Sequence, residues 1–170
     1  MGPFQMFDLA GGDIGWADRK RKAAFRSNEE RYVSIADRIC EKGWFGQKTG
    51  RGYYKYTPGA RRGEEDPEVL SIIQEERKVK GIEARSLSSD EIRRRYFAAM
   101  VNEGAKVLEE KMALRPSDID VTKLFGYGFP RHMGGPMRYA DVYGIENILN
   151  DLKELEKEDP YFWKPAEIMV

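Results

Sequence analysis

The chain has 170 residues, enough for one domain or two small packed ones, and it can bury a core without a staple. Lysine plus arginine and aspartate plus glutamate both number 29, so no long-range field draws the chain to nucleic acid or to an anionic membrane. The single Cys40 excludes an internal disulfide and fits a reducing compartment, and no run of about 18 apolar residues is present to span a membrane.

Residues 4–10 predict a short apolar helix. Pro3 opens it, because a missing N–H costs nothing in the first turn, and Gly11-Gly12 stops it. Residues 13–28 read as an irregular segment with a basic cluster, Arg19-Lys20-Arg21-Lys22, either a solvated face or a patch for an anion such as phosphate. Ser27-Asn28-Glu29-Glu30 predicts a helix start, and Tyr32, Ile35, Ala36, Ile39 and Cys40 then recur at helical spacing up to Gly43. Residues 43–56 predict a glycine turn feeding a short extended aromatic segment. Gly46, Lys48 and Thr49 do not have the spacing of a phosphate-binding loop, and no strand precedes them. Residues 58–66 read as a polar surface connection.

Asp66 and Pro67 predict a helix to about Lys80, ended by Gly81. Ser88 with Glu91 forms a capping-box pattern and opens the longest helix, whose apolar stripe runs to about Met112. Arg115-Pro116-Ser117-Asp118 opens a shorter one, residues 119–125. A glycine- and proline-rich turn, residues 125–135, leads to a helix over 136–143 and a last amphipathic helix over 145–156. Alternating strand patterns are nearly absent, so the expected class is all-α.

The chain also contains an internal repeat. Gly2-Pro3 and Gly135-Pro136, Asp8 and Asp141, and Gly11 and Gly144 coincide at one constant offset of 133 residues. This gives three expected segments: 1–57, the remainder of a first repeat; 58–87, a connecting loop and helix; and 88–170, a second repeat. Helices precede the second copy, over 88–125, but not the first. The chain is therefore expected to begin partway through a repeat.

With these segments in place, the chain resembles a known family. Gly2-Pro3-Phe4 through Asp8 to Trp16, Phe45-Gly46-Gln47-Lys48-Thr49-Gly50-Arg51-Gly52-Tyr53-Tyr54, and Gly126 to His132 with Gly134-Gly135-Pro136-Met137 are similar to motifs of the L-3-hydroxyacyl-CoA dehydrogenases. The likeness is to the C-terminal helical part of the multifunctional type, which is fused to an enoyl-CoA hydratase. It covers nearly the whole chain. It implies an intact enzyme that oxidises 3-hydroxyacyl-CoA to 3-oxoacyl-CoA with NAD, in fatty-acid β-oxidation. NAD and the catalytic histidine and glutamate would sit on an N-terminal Rossmann domain, with acyl-CoA in the cleft beside the helical part. A supporting asparagine belongs to the helix opening the first repeat. In the second repeat Arg94 aligns with it, so that copy reads as non-catalytic.

The resemblance therefore assigns no catalytic, cofactor-binding or metal-binding residue to this chain, and its substrate-binding residues stay unknown. NAD would be held by the absent domain. The expected partners are the enzyme's own Rossmann and hydratase domains and acyl-CoA, with no nucleic acid and no membrane insertion. The compartment would be cytoplasmic in a bacterium or peroxisomal in a eukaryote. A stand-alone helical binding or scaffold protein is the alternative.

Four single residues or pairs carry a second reading. His132 could act as an acid or base, but with no second histidine it reads as structural or interfacial. Asp8 and Asp141 could form a carboxylate pair, or each could brace its own turn. Asn102-Glu103 reads as a buried polar pair that helps helix packing, and Cys40 as a small core residue.

Overall fold

The computed structural model describes residues 1–60 and 62–170, so Arg61, within the expected surface connection, lies outside the described residues. The chain divides into two compact units, Met1–Arg85 and Ser86–Val170. Both are helical. The described residues contain eight α-helices and one antiparallel sheet of two two-residue strands, so the class is all-α.

In the first unit α1 is Pro3–Ala10 and α2 is Gly12–Lys22. The second of these corrects the expectation of an irregular segment over 13–28. No apolar period marks α2. It is held to the unit by Arg19 on Asp37, Asp13 on Lys48 and Trp16 on Phe45, with smaller support from the exposed pairs of Asp18 with Arg21 and Lys22 and from a basic last turn at the negative end of the helix dipole. A short 3-10 turn, Ala23–Phe25, follows.

Helix α3 is Ile35–Glu41, starting eight residues later than the Ser27 pattern predicts. Ser27 instead closes a local turn, its Oγ accepting from the Glu29 N–H at 3.2 Å. The cap on α3 comes from elsewhere in the chain. The buried carboxylate of Glu76 accepts from the Ser34 N–H at 2.9 Å and from the Ser34 hydroxyl at 2.5 Å.

The strands β1, Tyr54–Lys55, and β2, Glu64–Glu65, pair Tyr54 with Glu65 and Lys55 with Glu64, so the expected surface connection ends in a strand. Helix α4, Pro67–Lys80, has the predicted Asp66 cap, whose side chain accepts from the Glu68 N–H at 3.0 Å. Gly81 closes it in the left-handed region. Ile39 of α3 and Val69 and Ile72 of α4 form the unit's core, with Trp44 and Tyr53 packed against it.

In the second unit α5 spans Ser89–Glu109, with Ser88 Oγ accepting from the Glu91 N–H at 3.1 Å. It stops short of Met112 because Lys111 turns the chain at φ 56°. Helix α6 is Pro116–Gly126, α7 is Pro136–Tyr143 and α8 is Ile145–Glu156. Ala98 and Val101 of α5, Ala140 of α7, and Ile148, Leu152 and Leu155 of α8 form the core, closed by Trp163. Phe97 stacks on Tyr139 with centroids 4.1 Å apart.

The repeat has a local counterpart in the backbone. Gly11 and Gly144 each end one helix and begin the next, with φ/ψ of 97°/121° and 97°/126°. That positive φ is open to glycine at little cost, which is what a helix-to-helix corner without a linker requires.

Candidate functional site

The buried polar side chains are the natural places to look for chemistry, because a charge taken out of water must be satisfied or put to use. Asp8 is the most enclosed of those in α1 and α2. Its carboxylate accepts from the Tyr53 N–H at 2.9 Å, the Tyr54 N–H at 3.0 Å and the Tyr56 hydroxyl at 2.9 Å. It therefore braces the glycine turn of residues 46–56, some 45 residues away, and not its own turn. Gly46 has to be a glycine there, since a Cβ on it would overlap the Asp8 backbone and its φ is +96°. Asp141, at the matching repeat position, is exposed and lies 3.9 Å from Arg138. Sequence equivalence does not make these two aspartates structural equivalents. In the second unit the bracing carboxylate is Asp120 of α6, which accepts from the Met137 and Arg138 N–H groups at 2.7 and 3.1 Å and so caps α7. Burial pushes its pKa up, against the two N–H bonds that lower it.

The glycine turn is also locked by Arg51. Its guanidinium grips Asp66 through two nitrogens, at 2.6 and 3.1 Å, reaches Glu68 at 2.6 Å, and lies 3.5 Å over the Trp44 ring. Lys48 pairs with Asp13 at 2.5 Å, and the Thr49 hydroxyl accepts from the Phe45 N–H at 2.8 Å, so the Lys-Thr pair is spent on the fold.

Arg51 holds the Asp66 carboxyl below its ordinary pKa, and the two Ser34 hydrogen bonds do the same for Glu76. The folded chain thus binds fewer protons in acid than the unfolded chain. The stability this confers is complete above the unfolded value of about 4 and is lost as pH falls through the lower folded values. The urea midpoint should stay level between pH 7 and 5 and fall below pH 4. The fall should be shallower in Asp66→Asn, as a set of urea titrations across that range would show. Equal slopes in the two proteins would contradict the assignment.

The basic cluster is largely consumed within its own unit. Arg19 pairs with Asp37 at 2.6 Å, Arg21 and Lys22 pair with Asp18, and Lys20 sits 3.2 Å from the Trp16 ring centroid. Cys40 is buried, and burial raises its thiol pKa, as befits a core residue. His132 lies exposed on a short 3-10 turn, Arg131–Met133. Arg94 reaches across to α8, 3.1 Å from Asp151 and 3.0 Å from Glu154.

Asn102 is buried as expected. It donates to the Lys164 carbonyl at 2.9 Å and accepts from the Ala166 N–H at 2.8 Å. Glu103 is exposed, which corrects the expected buried pair: the two residues point to different faces of α5. Glu103 lines a groove of about 760 Å³ between α5 and α6, walled by Tyr96, Met100, Val107, Ile119 and Phe162. This groove can receive apolar surface. Its lining includes two carboxylates, Glu103 and Asp118, and no histidine or cysteine. Among the described residues no three histidine, cysteine, aspartate or glutamate side chains come together to hold a metal ion, and no helix is long and apolar enough to cross a membrane.

The fold and these clusters define a helical packing module. Its buried polar groups brace turns and cap helices, and its apolar grooves remain open. Residues 1–56 match the family model described as 3-hydroxyacyl-CoA dehydrogenase, C-terminal domain. The chain is 43% identical over 165 residues to a peroxisomal bifunctional enzyme of Danio rerio, covering 90% of this chain and 23% of that protein. It is 41% identical over 172 residues to the peroxisomal bifunctional enzyme of Homo sapiens, covering 94% and 24%. A crystal structure of the dehydrogenase part of multifunctional enzyme 1 from C. elegans superposes with a TM-score of 0.72 at 28% identity, over 99% of this chain and 38% of that one. Over residues 1–56 the chain matches the C-terminal domain of the 3-hydroxyacyl-CoA dehydrogenases, and over 99% of its length it is similar to the dehydrogenase part of a multifunctional enzyme. It spans about a quarter of the length of the curated relatives it matches.

Proposed function

We propose that this chain is the helical C-terminal part of an NAD-dependent L-3-hydroxyacyl-CoA dehydrogenase that shares its polypeptide with an enoyl-CoA hydratase and works in fatty-acid β-oxidation. It supplies a wall of the substrate cleft and packing surface for the other domains. The observation that carries this reading is a likeness over 99% of the chain to a solved dehydrogenase part, together with more than 40% identity to bifunctional enzymes. The compartment proposed is the peroxisome, after the names those relatives bear. The duplication proposed runs 1–57 and 88–170, joined by 58–87.

NAD use follows from the family. The residues of this chain do not fit the dinucleotide: the described residues form no parallel sheet, and so provide no strand-to-helix glycine turn to take a pyrophosphate. The role of this chain is therefore positioning. Its braced turns and capped helices hold a rigid wall, and a rigid wall keeps a flexible acyl chain and its reacting carbon in register.

The test is a chimera in which this chain replaces the corresponding stretch of the Danio rerio bifunctional enzyme. It should retain NAD-dependent oxidation of a 3-hydroxyacyl-CoA, read as NADH absorbance. Loss of that activity with hydratase activity intact would defeat the proposal. The purified 170-residue chain alone should produce no NADH under the same conditions, and measurable turnover would defeat the positioning role.

A further inference from the structure

The groove between α5 and α6 belongs to the second unit alone. Gly104 sets its floor, where α5 meets α6 and α7: a Cβ there would stand 2.7 Å from the Met137 sulfur and 3.5 Å from Ile119 Cδ1. One wall is fixed. Phe162 packs edge-on against the buried Trp163, with ring centroids 4.8 Å apart, and its N–H donates to Asp159 at 3.0 Å. Another wall is adaptable, because Met100 and Met112 are unbranched thioethers that fit chains of varied shape. The volume of about 760 Å³ falls in the range of roughly 300–1,000 Å³ found for small-molecule sites.

The charged groups of the lining decide what chemistry fits. Asp118 is already engaged, accepting from the Arg115 N–H at 3.0 Å and pairing with its guanidinium at 3.0 Å. The Lys123 ammonium lies 4.7 Å from the Tyr127 ring centroid. The Glu103 carboxylate has no partner among the described residues. A wholly apolar occupant would strip water from that carboxylate and give nothing back, which is costly, and a carboxylate-headed one would add repulsion. An ammonium group would satisfy it. Tyr96 and Phe162 line the same groove, and their ring faces attract a cation as well.

We propose that this groove binds an amphiphile with one ammonium head and one linear hydrocarbon chain, the head on Glu103 and the chain along Met100, Val107 and Ile119. The site is independent of the dehydrogenase role proposed above. A CoA thioester is polyanionic, and Glu103 repels it.

The experiment titrates decyltrimethylammonium, below its micelle-forming concentration, into the purified chain and follows the heat of binding. The same titration is run with Glu103→Gln, Tyr96→Ala and the off-groove control Glu146→Gln, and with decanoate in place of the ammonium amphiphile. All three substituted positions are solvent-exposed, and circular dichroism checks that each variant folds. Saturable binding is expected to weaken at least tenfold in Glu103→Gln and at least threefold in Tyr96→Ala, and to stay unchanged in Glu146→Gln. Added sodium chloride should weaken it in the native chain more than in Glu103→Gln, since the head is held by charge. No saturable binding, or equal binding in Glu103→Gln, overturns the proposal. Decanoate binding as tightly as the ammonium amphiphile would make Lys123 the anchor and overturns it too. Light scattering that shows a dimer, split by Tyr96→Ala, would put a second copy of the chain in the groove and overturns it as well.

Discussion

Replacing Asp8 by alanine should lower the folding stability of the chain by about 4 kcal/mol, since it leaves two backbone N–H groups and a tyrosine hydroxyl without their acceptor, at about 1–3 kcal/mol each before water relieves part of the loss. The carboxylate is almost wholly buried, and it is the acceptor that joins α1 to the turn carrying Tyr53, Tyr54 and Tyr56. The control is built into the repeat. Asp141→Ala removes the same residue type from the matching position of α7. There the side chain is exposed and only loosely paired with Arg138, so its stability should move by no more than about 0.5 kcal/mol. Urea unfolding followed by circular dichroism measures both. Similar midpoints for the two variants would mean that the tyrosine hydrogen bonds do not hold the turn. A cost of about 4 kcal/mol is a large share of the 5–15 kcal/mol that a domain possesses, so Asp8→Ala should populate the unfolded form at body temperature.

The contrast between these aspartates shows where a sequence stops being informative. Helices that announce themselves locally are legible: Pro3, Pro67 and Pro136 open helices at the predicted residues, and Asp66 and Ser88 cap as their spacing indicates. Helix α2 escapes because its support is mainly ionic and lacks the apolar period that marks a buried face. The start of α3 escapes because its cap, Glu76, lies 42 residues further along the chain. The braces escape for the same reason. Nothing near Asp8 points to Tyr53, and nothing near Asp120 points to Gly135, where a Cβ would overlap that carboxylate. Local sequence records propensity and capping. The pairing of a buried carboxylate with a distant turn is decided only when the chain closes on itself.

The same logic makes Asn102 the most exposed point of failure in the second unit. Asn102→Ala should cost about 3 kcal/mol, because it removes two of the hydrogen bonds that tie the segment after Trp163 to α5 and leaves, among the described residues, only that of the Ile168 N–H to Glu109. The amide donates to the Lys164 carbonyl and accepts from the Ala166 N–H. Ala166 and Trp163 are buried beside it, so the orphaned Ala166 N–H is not readily reached by water, whereas Lys164 is exposed. Helix α5 itself should survive, since Ala98, Val101 and Ala105 keep their packing. The loss is therefore expected to be local before it is global. The Ala166 amide should exchange with solvent at least tenfold faster in Asn102→Ala, while amides at the centre of α8 slow or quicken only with global stability. Asn102→Asp separates the two bonds: it retains an acceptor for the Ala166 N–H, loses the donor to Lys164, and buries a charge beside an unpaired carbonyl, so it should rescue nothing. Unchanged exchange at Ala166 in both variants would show that the two Asn102 hydrogen bonds do not hold this segment to the core.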